Sequence, residues 1–121
     1  MSRIEVQIEM FGIPNCDSIK KARKWLDVEG IEYQFHDYKK EGVKSALLAE
    51  WCRAKGWEVL LNRRGTTWRK LPDDLKNSVD EIRAIALMVE HPSMIKRPIL
   101  VTGTQVEVGF SPDRYRELLG R

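Results

Sequence analysis

The residue best suited to chemistry in this sequence is Cys16, which follows the tetrapeptide Gly12-Ile13-Pro14-Asn15. Gly, Pro and Asn favour tight backbone turns, and a helical pattern begins directly afterwards, at Cys16 or Asp17. A thiol attacks as its thiolate, so a nucleophilic cysteine needs a pKa below the usual value of about 8.5. The unpaired N–H groups of a helix N-terminus favour the thiolate and can also hold a tetrahedral oxyanion. The pattern predicts a reactive thiol, and the alternative is a small buried side chain.

The second cysteine, Cys52, lies far from Cys16 in the sequence, within a predicted helix, and we expect it to contribute to packing. Ile19 holds the position where a C-x-x-C pair would have its second cysteine. Without that pair, an internal disulfide is not available, so a redox cycle at Cys16 would require an external thiol. The cysteines and the two histidines have unrelated spacings, which predicts no metal site.

Length and charge define the class of protein. A chain of 121 residues is sufficient for one compact domain. The net charge is only +3, and the basic residues are spread between acidic ones along the chain, which is not the pattern of a nucleic-acid-binding surface. There is no apolar run of about 18 residues and no signal-peptide pattern. We therefore expect a cytoplasmic protein that binds neither nucleic acid nor membrane.

The first part of the chain reads as strand, helix and strand. Polar and apolar residues alternate from Glu5 to Phe11, which is typical of a half-buried strand. The helix that follows ends at Gly30, and Ile31 to Tyr38 again alternates, so a right-handed parallel β-α-β unit is predicted. The apolar stripe of the helix consists of Ile19, Ala22 and Leu26, with Trp25 beside it.

The middle of the sequence is helical. Helices are predicted over Val43 to Lys55, Asp73 to Asn77 and Val79 to Glu90. Ser78 and Glu81 match the S-x-x-E capping box, which predicts the start of the last of these.

The last part of the chain reads as a hairpin and a helix. Strands are predicted over Ile99 to Val101 and Gln105 to Val108, joined by a Gly-containing loop from Thr102 to Thr104. Ser111 as N-cap and Pro112 at the first helical position predict a final helix. Its inward side chains are Tyr115, Leu118 and Leu119.

Three segments of the sequence resemble the ArsC family of arsenate-reductase-like proteins, specifically its YffB-like branch. They are the loop 12–16, the motif 61–68 (Leu-Asn-Arg-Arg-Gly-Thr-Thr-Trp) and the segment 94–98 (Met-Ile-Lys-Arg-Pro), and the match spans essentially the whole chain. The resemblance implies an α/β, thioredoxin-like mixed sheet in the order β-α-β, helices, β-β-α. It implies a single ArsC-like domain, 1–121, whose core (1–41 and 93–121) holds a helical insertion, 42–92. It also implies a cis peptide bond before Pro98.

By this resemblance, Arg63 and Arg97 occupy the places of two arginines that hold the anion in arsenate reductases, with Arg64 as the alternative to Arg63. The planar guanidinium binds two oxygens at once and remains charged, so it also favours a thiolate. Structural salt bridges are the competing role. Asn15 and Pro98 complete the expected anion- or glutathione-binding set.

The sequence also departs from the reductases. Where they carry a further anion-binding arginine after the last strand, this chain reads Val-Gly-Phe-Ser at 108–111, with no cation before Arg114. Asp17 adds a carboxylate beside Cys16, which opposes both a bound dianion and a thiolate. Both features argue against arsenate as the substrate.

The expected function is a glutathione-dependent thiol oxidoreductase, in which Cys16 forms a mixed disulfide or an oxyanion adduct. Glutathione would be the co-substrate, since related proteins form a mixed disulfide with it, and glutaredoxin and a small oxyanion are the other expected partners. We expect a monomer with no tightly bound cofactor. The alternative is a non-catalytic regulator like Spx that binds RNA polymerase, although the missing C-x-x-C argues against its redox switch. Trp68 has no assigned role, and Trp25, Trp51 and Trp57 are expected in the core.

Overall fold

A computed structural model describes residues 8–103 and 105–120 of the chain. They divide into two compact units. One unit is Tyr38–Lys96, and the other comprises the described residues up to Asp37 and from Arg97 onward. The helical unit therefore begins and ends four residues outside the insertion that the sequence predicts, 42–92.

The unit formed by the described residues up to Asp37 and from Arg97 onward is called the first unit, and Tyr38–Lys96 the second. The first unit contains a four-stranded mixed sheet in the order β2-β1-β3-β4. β1 is parallel to β2 and antiparallel to β3, and β3 is antiparallel to β4, so the predicted mixed sheet, with a parallel β-α-β unit and a β3–β4 hairpin, is confirmed. The strands are β1 (Ile8–Gly12), β2 (Gln34–Asp37), β3 (Ile99–Thr102) and β4 (Gln105–Val108). Residues 5–7 of the predicted first strand and Thr104 of the predicted loop lie outside the described residues.

Two details of the strands differ from the sequence interpretation. β1 is buried on both faces, since the adjacent residues Met10 and Phe11 point to opposite faces and are both buried, and the Phe11 ring stacks on that of His36 in β2 (4.6 Å between ring centres). β2 is shorter than predicted, because its expected first residue, Ile31, still donates its N–H to Leu26 at the end of the helix (2.9 Å). At the other end, Tyr38 begins a short helix instead of continuing the strand.

Two helices complete the first unit, α1 (Asp17–Val28) and α8 (Pro112–Leu119). The predicted stripe of α1 is confirmed, since its three members are fully buried. The Ser111 hydroxyl accepts a hydrogen bond from the Arg114 N–H (3.4 Å), as predicted for an N-cap. Tyr115 is fully buried in the same core, which also includes Met10 and Leu100.

The second unit is helical. Its elements are α2 (Tyr38–Glu41), α3 (Ser45–Lys55), α4 (Trp57–Leu60), α5 (Thr66–Arg69), α6 (Asp73–Asn77), α7 (Glu81–Glu90) and a 3-10 turn (Pro92–Met94). The predicted helices correspond to α3, α6 and α7, while the one-turn elements are too short to produce a periodic pattern. Within the described ranges, no helix has the length and apolar character that spanning a membrane requires.

The predicted capping box at α7 is wrong. The Asp80 carboxylate accepts a hydrogen bond from the Arg83 N–H (2.9 Å) and is the N-cap. The Ser78 hydroxyl instead donates to the Leu75 carbonyl (3.3 Å), at the end of α6. The helix therefore begins two residues later than the sequence predicts, because an aspartate closer to it takes the capping position.

This correction gives a paired prediction. Asp80→Ala should lower the free energy of unfolding by about 1 kcal/mol, the usual contribution of an N-cap side chain. Ser78→Ala is the matched control and should change it by less than about 0.5 kcal/mol, as is usual for an exposed surface position. Urea denaturation followed by circular dichroism measures both. An equal loss of unfolding free energy in the two variants, or a larger loss in Ser78→Ala, would show that Ser78 caps α7 as the sequence predicted.

Candidate functional site

The approach of α1 to β1 depends on Gly12, the last residue of the strand. A Cβ atom at this position would lie 2.9 Å from Cγ1 of Ile19 and closer still to its Cδ1. Any larger residue would therefore force the fully buried Ile19 side chain, in the first turn of α1, out of its place against the sheet. The sequence suggested Gly12 for a turn, whereas in the structure its role is to permit close packing.

Cys16 is the N-cap residue of α1, with an extended backbone (φ −131°, ψ 132°). Its carbonyl accepts the first hydrogen bond of the helix, from the Lys20 N–H (2.9 Å). The side chain is half-buried and makes no capping hydrogen bond of ordinary geometry, but the backbone N–H groups of Ile19 and Ser18 lie near enough to its sulfur to favour the thiolate. The helix start thus directs two of its unpaired donors at the thiol, as the sequence pattern predicts.

The pKa of the Cys16 thiol is lowered from its ordinary value. Partial burial alone would raise the pKa. Four effects that lower the pKa together outweigh it: the Ile19 N–H, a hydrogen bond from the Arg97 guanidinium, the Ser18 N–H and the positive charge of Arg97. All of these donors favour the charged form of sulfur. The direction agrees with the prediction from the sequence, and the thiolate fraction at neutral pH is correspondingly larger.

Sheet register explains why Arg97 reaches Cys16. Ile99 of β3 pairs with Phe11 of β1, so the residues before Ile99 run alongside the end of β1. Consistently, a Cβ built on Gly12 would lie 3.8 Å from the Arg97 Cβ. The Arg97–Pro98 peptide bond is cis, as predicted, and the Pro98 carbonyl accepts a hydrogen bond from Gly109 (2.8 Å).

The residues on either side of Cys16 in the sequence, Asn15 and Asp17, are exposed. Asn15 lies in the turn before α1, and Asp17 is the first residue of the helix. A carboxylate in the first turn of a helix interacts favourably with the unpaired N–H groups there.

Arg63 and Arg64 belong to the second unit, where both are exposed. The guanidinium carbon of Arg63 lies 5.3 Å from the ring centre of Trp57 and 5.9 Å from that of Trp68. Arg64 differs, because its backbone N–H donates to the Asn62 side chain (3.0 Å) and its own side chain makes no contact with an aromatic ring of the described residues. The structure therefore distinguishes two arginines that the sequence left as alternatives.

Tryptophan positions correct one further expectation. Trp51 is fully buried, as predicted, and Trp25 is half-buried with its ring edge-on to Tyr115. Trp57 is only half-buried and contacts Arg63, so the prediction that it is a core residue is wrong. Because it opens a one-turn helix, its position could not be read from hydrophobic periodicity.

Cys52 lies on α3 and is buried, which confirms its predicted packing role. Burial, with a smaller effect of the Glu81 carboxylate, raises the pKa of its thiol. The two cysteines therefore have pKa shifts in opposite directions. Over residues 8–103 and 105–120, His, Cys, Asp and Glu side chains form no group that could hold a metal ion.

The segment after β4 is occupied by structural contacts. The Phe110 ring packs edge-on against Tyr115, with ring centres 4.9 Å apart, and Ser111 caps α8. The next cation, Arg114, binds Glu107 and Glu117, each at 2.9 Å. This part of the chain is therefore used for folding rather than for presenting a further arginine to an anion.

Comparison with known proteins identifies the family. The chain matches the model of the ArsC family over residues 11–118, and it belongs to that family. The fold is thioredoxin-like, since it also aligns with a glutaredoxin from Archaeoglobus fulgidus (TM-score 0.51, 13% identity, 94% of this chain and 86% of that one).

Similar proteins include the YffB protein, whose structure superposes with a TM-score of 0.87 at 49% identity over 91% of this chain and 96% of that one. An arsenate reductase (ArsC) related protein from Brucella melitensis is 45% identical, with a TM-score of 0.76 over 99% and 100% of the two chains. The global transcriptional regulator Spx of Listeria innocua is 28% identical over 94% of this chain and 88% of its own length. The family thus includes relatives named for reduction and relatives named for regulation.

The site gives a prediction on thiol reactivity. In wild type, alkylation by iodoacetamide should modify Cys16 with a midpoint below about 8.5, whereas Cys52 should react slowly across the same pH range. Arg97→Ala should raise the Cys16 midpoint, since it removes both a charge-assisted hydrogen bond and a positive charge that favour the thiolate. Arg97→Lys, which keeps the charge but loses the planar fork, should give an intermediate value.

Peptide mass spectrometry separates the two cysteines in a single sample, so Cys52 serves as the internal control. Arg114→Ala controls for the loss of one positive charge, because Arg114 binds Glu107 and Glu117 and contributes no hydrogen bond to Cys16. A Cys16 midpoint that does not change in Arg97→Ala would show that Arg97 has no part in thiolate stabilisation.

Proposed function

We propose that this protein is a glutathione-dependent thiol oxidoreductase, with Cys16 as its nucleophile. The observation that carries the proposal is the arrangement at the half-buried Cys16 thiol, where two backbone N–H groups and the Arg97 guanidinium all favour the thiolate. A packing cysteine has no need of such donors, as Cys52 illustrates with its raised pKa. Membership of the ArsC family supports the same reading.

The proposed step is thiol–disulfide exchange. The Cys16 thiolate attacks one sulfur of glutathione disulfide, a new bond forms between the two sulfurs, and the other glutathione leaves as its thiolate. Because Cys16 lacks a partner cysteine at position 19, the mixed disulfide must be resolved by a second thiol, either glutathione or glutaredoxin. The fully buried Ile19 occupies that position and packs in the core.

The remaining residues are proposed to bind the tripeptide. Glutathione is an anion with two carboxylates, which suit arginine, and an extended backbone, which suits hydrogen bonding to main-chain groups. We assign its carboxylates to Arg97 and Arg63, for which Arg64 is the alternative, and its peptide groups to the backbone around Asn15 and Pro98. No tightly bound cofactor is required for this chemistry.

Arsenate is proposed to be a poor substrate. A compact dianion is best held by cations on several sides, and Phe110 and Ser111 are committed to the core and to the cap of α8. Glutathione depends less on such enclosure, because its two charges lie far apart.

The experiment is to incubate the protein separately with glutathione disulfide and with arsenate, and to read the intact mass and the modified residue. We expect one glutathione on Cys16 and none on Cys52, and little or no arsenic adduct. Cys16→Ser should abolish the modification, and Cys52→Ser is the control that should leave it unchanged. Modification of neither cysteine, or of Cys52 in preference, would refute the proposal.

The second candidate is a non-catalytic regulator, which the similarity to Spx of Listeria innocua supports. The two functions differ in turnover. With glutathione as the only other thiol supplied, an oxidoreductase should reduce a low-molecular-weight mixed disulfide repeatedly per protein molecule, and Cys16→Ser should abolish this activity. At most one equivalent of product would favour the regulator.

A further inference from the structure

We propose that Trp57 and Trp68 are positioning residues for Arg63, and that they make Arg63, rather than Arg64, the anion-binding arginine of the loop 62–65. The inference rests on the proposed function and deepens it. It assigns a role to Trp68, which the sequence left without one, and to Trp57, which was expected in the core.

The contacts of Arg63 are made with aromatic rings. Its guanidinium lies within 6 Å of two tryptophan ring centres, the range in which a cation is attracted to the negative face of a ring. Within the residues that the structure describes, Arg63 makes no hydrogen bond or ion pair with its side chain. Its N–H donors are therefore available to a carboxylate or another oxyanion, while its position is fixed by contacts that use no donor.

Fixing this side chain matters energetically. A free arginine loses about 2 kcal/mol of conformational entropy when its side chain is immobilised by a ligand. If the rings already restrict it, a smaller part of that cost falls on binding. An exposed arginine without such support, as Arg64 is, would bear the full cost.

Both rings stand on backbone that is itself held in place. Trp57 opens α4, and its carbonyl accepts from the Leu61 N–H (2.9 Å). Trp68 lies in α5, whose Thr67 hydroxyl is hydrogen-bonded to that of Ser93 (3.2 Å).

The loop between these two helices is anchored as well. The Asn62 N–H donates to the Met94 carbonyl (2.7 Å), and the Lys96 N–H donates to the Leu60 carbonyl (2.8 Å). The backbone of Arg63 therefore lies in an anchored loop, and this loop is flanked in the sequence by the two tryptophans.

The test measures affinity for S-methylglutathione, an unreactive analogue, by isothermal titration calorimetry. Arg63→Ala should weaken binding about tenfold, and Arg64→Ala, the matched control, less than twofold. Trp57→Leu and Trp68→Leu should each weaken it about two- to fivefold, whereas Trp57→Phe and Trp68→Phe should restore most of the loss. In the Arg63→Ala background, neither leucine substitution should have a further effect.

Two readouts separate positioning from general stability. The rate of mixed-disulfide formation at saturating glutathione disulfide should be unchanged in the leucine variants, because the Cys16 surroundings are untouched. In the ligand-free protein, the Arg63 Nε–H proton should show a ring-current shift that disappears when both tryptophans are leucine. The proposal would be overturned if Trp57→Leu and Trp68→Leu weakened binding of S-methylglutathione equally with and without Arg63. It would also be overturned if wild type showed no ring-current shift.

The outcome for the proposed function is distinct. If wild type does not bind S-methylglutathione, the glutathione proposal fails, and the ring-current shift then decides on positioning by itself. If binding is present but Arg64→Ala weakens it more than Arg63→Ala, the proposed function stands and the positioning role is wrong.

Discussion

The electrostatic stabilisation that the Cys16 thiolate receives from the N–H groups at the start of α1 and from Arg97 is the interaction on which the site depends. The N–H groups and the guanidinium are supplied by different parts of the first unit. The backbone N–H groups require that α1 begin at Asp17, and the absence of a side chain at Gly12 lets Ile19 hold that helix against the sheet. The guanidinium requires the antiparallel register of β1 and β3. The lowered pKa of a half-buried thiol is therefore a product of sheet pairing and helix packing together.

Much of this arrangement could be predicted from the sequence, and the reason is that the relevant signals are local. The turn before Cys16, the stripe of Ile19, Ala22 and Leu26, and the cap at Ser111 each lie within a few residues of the feature they determine. The pairing of strands distant in sequence was inferred from their order and from the family resemblance. The cis bond at Pro98 came from the resemblance alone.

The predictions that were wrong concern residues that compete for the same structural role and residues whose burial depends on tertiary contacts. Ser78 and Asp80 both have the chemistry of an N-cap, and only the structure shows which one meets a free N–H of α7. β1 alternates as a half-buried strand does, yet Phe11 on its other face is buried as well, with its ring stacked on that of His36. Trp57 is apolar enough for a core, but a one-turn helix places it against Arg63. None of these outcomes is encoded in residue spacing.

The central claim is that the lowered pKa of Cys16, produced in part by Arg97, makes this thiol the reactive group of the protein. The most direct measurement is the pH dependence of the second-order rate constant for mixed-disulfide formation with glutathione disulfide, in wild type and in Arg97→Ala. A thiolate nucleophile predicts that the rate rises with pH to a plateau whose midpoint equals the Cys16 pKa, and that the midpoint moves upward in Arg97→Ala. A rate that follows the titration of an unperturbed thiol in both proteins would contradict the claim.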